Sequence, residues 1–297
     1  MIKILSPLVQ KEEVEPLVSA GVDEFYCGLL HYKGSMNDRP NNDKFNFSSF
    51  GELSKAITMT HKFGKKIFLT INKPSLNLEA AIDQAKKAER IGIDGLIVSN
   101  PLLIKRLKDL NLNLELNASC LCAVFNSQSI QFFKWLGIET FHLPRHLGIE
   151  HVRMLLQKHP NTRLSVFGMQ GMCMNIEAFC QLHYLKEEYF IPCKHFKTVN
   201  ILGSQSLPNN ILDKRINMPK FSCGMCALKS FADMGIYSIK IEGRQLPLQK
   251  KITHVSIIKK ALDNLETCHN NTTYIGLCKK LFKEHFHEDC ETEYCYY

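Results

Sequence analysis

The sequence predicts an α/β protein, a closed TIM-like (β/α)8 barrel with a cysteine-rich insertion between strands 7 and 8. Three observations lead there. Eight short strand-like runs recur along the chain, and helical patterns lie between the first seven. A helix-end signature recurs too, as Gly21-Val22, Gly92-Ile93, Gly137-Ile138 and Gly235-Ile236, each leading into a strand-like run. A glycine just past a helix takes the left-handed cap without a Cβ clash, and the β-branched residue opens a buried parallel strand. Finally, the rhythm breaks once, between Phe167 and Ser238, where five cysteines fall.

The elements follow in order. Residues 2–5 read as the first strand; no basic stretch followed by an apolar one marks them as a leader. A helix over 12–20 leads to strand 24–27. Ser49 and Glu52 have the spacing of a capping box and open a helix over 49–63, before strand 66–71. Asn77 caps a helix over 78–90, before strand 95–98. Strand 114–117, helix 128–136, strand 140–143, helix 148–159 and strand 164–167 continue the alternation. Strand 238–241 follows the insertion, which spans 168–237, and a helix over 252–265 closes a single barrel domain over 1–265. Residues 266–297 read as a polar C-terminal tail rich in Asn, His and Glu. Eight strands favour a barrel over an open sheet. No G-x-G-x-x-G follows strand 1, so no nucleotide cofactor is expected.

Composition narrows the function. With 297 residues, 45% hydrophobic and 22% charged, the chain can bury a core without disulfide staples. No run approaches the roughly 20 apolar residues of a membrane span, so a cytoplasmic location is expected. A net charge of +8 suits an acidic partner: a nucleic acid, a polycarboxylate or an acidic peptide. Twelve cysteines in a reducing compartment point to metal or cluster binding rather than disulfides. Cys27, Cys120 and Cys122 sit in strand-like runs and read as small buried hydrophobes. Cys268, Cys278, Cys290 and Cys295 have no tight spacing and no assigned role.

Two constellations carry chemistry. In the insertion, six residues separate Cys173 from Cys180, twelve separate Cys180 from Cys193, and thirty-two separate Cys193 from Cys226. Four soft thiolates suit an iron–sulfur cluster or zinc. Cys223 and Cys226 form the one close pair, so Cys223 is an alternative to Cys226. The second constellation is Lys240-Ile241-Glu242-Gly243-Arg244, at the end of strand 8. Alternation puts Lys240 and Glu242 on one side, and Arg244 brings a fork suited to carboxylate or phosphate. Other strand ends add Asn72, Ser99, Asn100, Asn117, Ser119, Arg145, His146 and Gln170. In a barrel these ends share the catalytic face, as does an insertion after strand 7. H-E-x-x-H, P-loop and G-x-S-x-G motifs are all absent from the sequence.

The segment Val166-Phe167-Gly168-Met169-Gln170-Gly171-Met172-Cys173 resembles the F-x-H-G-x-x-C element of the collagenase-like peptidase family U32. Lys240–Arg244 matches its K-I-E-G-R signature, Gly21–Gly28 its G-A-D-x-V-Y-x-G opening, and Arg39 with Asn46-Phe47 its R…N-F loop. Residues 66–72 resemble its strand-three element and Pro144-Arg145-His146-Leu147 its R-E-L, so the resemblance covers about residues 1–265. It implies a 4Fe–4S cluster on Cys173, Cys180, Cys193 and Cys226, with Cys223 as rival. Despite the peptidase name, several bacterial members act in hydroxylation of tRNA or rRNA bases. A short pair of members serves oxygen-independent ubiquinone synthesis, with prephenate implicated as oxygen donor. Gln170 replaces the family His, and His146 replaces the family Glu.

The resulting expectation is an iron–sulfur-dependent, oxygen-independent hydroxylase. Glu242, Arg244, Arg145 and Lys240 are its candidate catalytic residues, and Arg39, Asn72, Ser119 and Gln170 its candidate substrate contacts. An anionic donor such as prephenate would pair with the arginines. The acceptor stays open between a small aromatic, a nucleobase and a peptide. A U32-type peptidase and a non-catalytic, cluster-bearing subunit of a heterodimer with a U32 paralogue are the two alternatives.

Overall fold

The structure is a computed structural model that describes residues 2–31, 34–171, 173, 176–180, 222–268, 270–291 and 295–297. Eight parallel strands pair in chain order and close into a barrel: β1 (Lys3–Pro7), β2 (Glu24–Cys27), β3 (Lys66–Ile71), β4 (Gly95–Val98), β5 (Glu115–Ala118), β6 (Thr140–His142), β7 (Arg163–Met169) and β8 (Ser238–Ile241). The closing register pairs Leu5 with Lys240. The helices are α1 (Val14–Ala20), α2 (Phe50–Lys62), α3 (Leu78–Arg90), α4 (Pro101–Asp109), α5 (Ser127–Trp135), α6 (Ile149–Lys158), α7 (Leu228–Met234), α8 (Leu248–Asp263) and α9 (Asn271–Phe286).

The expected local signals set these boundaries. Ser49 accepts from Glu52 N at 3.2 Å, and Asn77 accepts from Ala80 N at 3.0 Å. Gly21 and Gly235 close α1 and α7 with φ of 114° and 78°. Outward strand residues such as Ile4, Phe25, Leu69 and Val98 join helix residues such as Leu53, Ala85 and Ile258 in one continuous core. Ion pairs close the bottom of the barrel: Lys3–Glu24 at 2.5 Å, Lys66–Glu115 at 3.2 Å and Arg163–Glu139 at 2.7 Å. Among the described residues, no helix is long and apolar enough to cross a membrane.

Several boundaries differ from the sequence reading. β5 is shifted by one residue, and β7 runs on to Met169 across a register shift beside β8. The insertion contains α7, the ordinary barrel helix before β8. The segment read as a polar tail carries α9, which buries Tyr274, Cys278, Leu281 and Phe282. That spacing is the stripe of one helical face, and it packs against α8 and residues 225–227. Polar flanks on both sides hide the stripe in the composition.

Candidate active site at the barrel mouth

A parallel barrel brings all eight strand C-termini to one face. The loop after β2 folds across this face and is pinned there. Phe47 N donates to Gly28 O at 2.9 Å, and Asn37 Nδ2 donates to Asn46 Oδ1 at 2.9 Å. From the end of β3, Asn72 accepts from Asp38 N at 3.1 Å and donates to Ser119 Oγ at 2.9 Å. Arg244 is buried; its Nη2 lies 3.2 Å from Asn37 Oδ1 and its Nη1 3.3 Å from Phe45 O. Asn72, Ser119 and Arg244 therefore hold the loop; the Arg244 fork, expected to face a ligand, is occupied by protein. Gly28 is required where it stands, because a Cβ there would strike the Asn46 and Arg244 side chains.

The loop carries Arg39 to Glu242, at 3.4 Å. Glu242 also receives Arg145, with Nη2–Oε1 at 2.9 Å and Nη1–Oε2 at 3.3 Å. Arg145 reaches Glu177 as well, through Nη2 at 2.9 Å and through its backbone N at 2.8 Å, and it donates to Gly171 O. Its guanidinium carbon lies 3.9 Å from the Phe167 ring centroid. Below that ring is Lys240, with Nζ 4.6 Å from the Tyr26 centroid and 5.8 Å from the Phe167 centroid. Burial pushes the Lys240 ammonium below its usual pKa. Gln170 stands at φ 67°, with its N donating to Ser222 O at 2.8 Å and its carbonyl accepting from Tyr296 Oη.

The model of peptidase family U32 matches residues 9–297. The chain belongs to peptidase family U32. Curated U32 relatives include tRNA hydroxylation protein P1 of Bacillus subtilis (strain 168), 23% identical over 88% of this chain and 63% of that protein. The 23S rRNA 5-hydroxycytidine C2501 synthase of Escherichia coli (strain K12) is 21% identical over 82% of this chain and 36% of its own length. Thus the chain spans less than two thirds of either relative's length. Among solved structures, the U32 peptidase Mk0906 shares the fold with a TM-score of 0.53, at 12% identity, over 82% of this chain and 93% of its own.

U32 membership directs attention to the cysteines. Cys173, Cys180 and Cys226 are each partly exposed, whereas Cys223 is buried and burial pushes its thiol up. The neighbouring Cys278 thiol lowers the Cys226 thiol from its usual value and so favours the thiolate, the form a metal binds. The donor chemistry therefore fits a thiolate-held cluster, with Cys226 better suited than Cys223. Among the described residues no three metal-ligating side chains are drawn together. Cys193 lies outside the described residues.

Sequence reasoning missed Glu177, His142 and Tyr296. Glu177 carries no motif; only the fold brings it to Arg145. His142 was within reach, because alternation from Thr140 puts it on the inward face. Tyr296 comes from the segment read as a tail, and its hydroxyl also meets Gly171 O at 3.2 Å.

Proposed function

We propose that this chain is an iron–sulfur-dependent hydroxylase that works without molecular oxygen, in the cytoplasm, on an RNA base. One observation supports the reading above the others. Glu177 lies between Cys173 and Cys180 and is bound twice to Arg145, which ties the cysteine-bearing segment to the cationic mouth. The names of the curated U32 relatives, which act on tRNA and rRNA, supply the acceptor class, and a net charge of +8 suits a polyanion.

Cys173, Cys180, Cys193 and Cys226 would hold a 4Fe–4S cluster, which supplies one-electron chemistry. The chain's own residues do the rest. Arg39 offers N–H donors to an anionic oxygen donor such as prephenate, and Arg145, held by Glu242 and Glu177, adds positive charge beside it. Glu242 fixes both guanidinium planes and is the nearest carboxylate for a proton. Asn72, Ser119 and Arg244 hold the loop that carries Arg39, and Gln170 shapes the turn beneath the cysteine segment.

The test is anaerobic purification with iron and sulfide quantification, followed by Cys→Ala substitution at 173, 180, 193, 223 and 226. Nucleosides from RNA incubated with and without prephenate are then compared by mass spectrometry, with and without a U32 paralogue. Four irons per chain, lost at 173, 180, 193 and 226 but kept at 223, together with a prephenate-dependent hydroxylated nucleoside, is the expected result. Zinc in place of iron, or peptide cleavage with no hydroxylated nucleoside, overturns the reading.

A further inference from the structure

The segment that carries Cys173 and Cys180 is docked on the barrel through Glu177, which meets Arg145 Nη2 at 2.9 Å and accepts from its backbone N at 2.8 Å. Glu177 is buried, yet the apolar residues that flank it are turned out: Ile176 is 55% exposed and Phe179 66%. A turn fixes this display. Phe179 N donates to Ile176 O at 3.1 Å, and Ala178 stands at φ 74°. A residue with a Cβ adopts that left-handed conformation only where its surroundings impose it.

The Phe179 ring has a backing. It lies against Phe125, from the loop after β5, with centroids 6.1 Å apart and planes 18° from parallel. Phe125 is itself half-buried and packs against the main core. One face of Phe179 is thus supported by a ring anchored in the barrel, while most of the remaining ring surface meets solvent. An aromatic ring left on water at a barrel mouth forgoes one of the largest burial gains a side chain can make, which marks it as a contact surface. The charge beside it suits a polyanion. Arg39 is more open than the carboxylates it meets: 28% of its side chain is exposed, against 15% for Asp38 and 13% for Glu242. A flat ring face beside an accessible cation takes an unstacked base, since the base stacks on the ring and the cation meets a phosphate. An acidic peptide would use the cation and leave the ring face idle.

We propose that Phe179, backed by Phe125, is a stacking platform for an unpaired RNA base at the rim of the barrel mouth. The base lies on the open face of the Phe179 ring, with Ile176 at its border, and the strand's phosphates run toward Arg39. Glu177 ties the platform to Arg145, so a base stacked here holds the strand across the mouth. The platform rests on RNA being the acceptor.

Fluorescence anisotropy on the anaerobically purified full chain tests it. The probes are a labelled oligouridine and an abasic oligonucleotide of the same length, which keeps the phosphates and lacks the bases. The parent binds oligouridine more tightly than the abasic chain. Phe179→Ala weakens oligouridine binding by about tenfold, the loss of one base stack, and leaves abasic binding unchanged. Phe179→Trp restores the preference. Tm and iron content of Phe179→Ala stay at the parent's level, because the ring is mostly exposed. Should Phe179→Ala fail to fold, Phe179→Leu decides, since it keeps an apolar side chain and loses the aromatic face. Equal affinity of the parent for the two probes, an equal loss on both in the variants, or no loss at all overturns the proposal. So does self-association of the parent in sedimentation that Phe179→Ala abolishes, which marks a second copy of the chain as the occupant. None of these readouts involves hydroxylation. A base preference that needs Phe179, without a hydroxylated nucleoside, keeps the platform and removes the hydroxylase reading, and a hydroxylated nucleoside without the preference does the reverse.

Discussion

Arg145 and Glu242 face each other as a fork against a carboxylate, with contacts of 2.9 and 3.3 Å. The pair joins the end of β6 to the end of β8, and Glu177 extends it to the cysteine segment. Both arginine and glutamates are largely buried, so removing the cation strands two carboxylates out of water. Arg145→Met is expected to cost about 3–5 kcal/mol, measured by guanidinium denaturation. Arg145→Lys recovers only part of this, because one ammonium cannot serve two carboxylates and the Gly171 carbonyl. A Met variant as stable as the parent would refute the account.

A second buried pair acts on the fold alone. Lys251 of α8 meets both oxygens of Glu13 at 2.8 and 2.9 Å, and Glu13 also accepts from Val9 N at 3.1 Å. Lys251 and Glu13 are 1% and 2% exposed. Lys251→Met and Glu13→Leu should each destabilise by about 3–5 kcal/mol. The double variant should be milder than the sum, since the second change removes a charge already stranded. Additive losses in denaturation curves would show that the two side chains are not coupled.

Lys251 and Glu13 also show what the sequence could not convey. Period-2 and period-3.6 patterns with glycine caps gave the barrel, because those signals are local. The K-I-E-G-R segment was legible as functional because three charges crowd one strand end. Which partners they find was not legible: Arg244 turns to the loop at Asn37, Lys240 turns inward, and Glu242 meets an arginine from β6. Glu177 and Tyr296 join the site through long-range closure, which leaves no spacing to read.

Acid sensitivity follows from buried histidine. His254 in α8 is held down to about 4, chiefly by burial, with Lys250 adding to it. Its unfolded value is about 6.5, so between pH 6.5 and 4 the unfolded chain binds more protons than the folded one. Stability then rises with pH across that window and is lost on acidification, by up to about 3 kcal/mol. His142 is shifted in the same direction, also by burial. Replacing His254 by Leu should flatten the stability–pH curve below 6.5, and replacing both histidines should flatten it further. An unchanged slope in the His254→Leu protein would mean the ring is not buried neutral.

Tyr296 and Tyr297 bond to the backbone at the end of β7, beside the candidate site. Tyr297 Oη accepts from Phe167 N at 3.0 Å and donates to Phe167 O at 3.1 Å, while its ring meets Phe231 edge-on at 4.9 Å. These bonds fall where β7 shifts register against β8, so Tyr297 replaces ladder bonds that the bulge gives up. Tyr296 holds the carbonyls of Gln170 and Gly171, and with them the left-handed turn that leads to Cys173. Deleting residues 296–297 should therefore cost about 3 kcal/mol from lost bonds and aromatic burial. Tyr296→Phe should cost about 1 kcal/mol and yet reduce activity out of proportion, because it loosens the turn under Arg145 without disturbing the barrel. Thermal unfolding of both variants beside the hydroxylation assay separates the two effects. Full activity in the truncated protein would remove the chain end from the site.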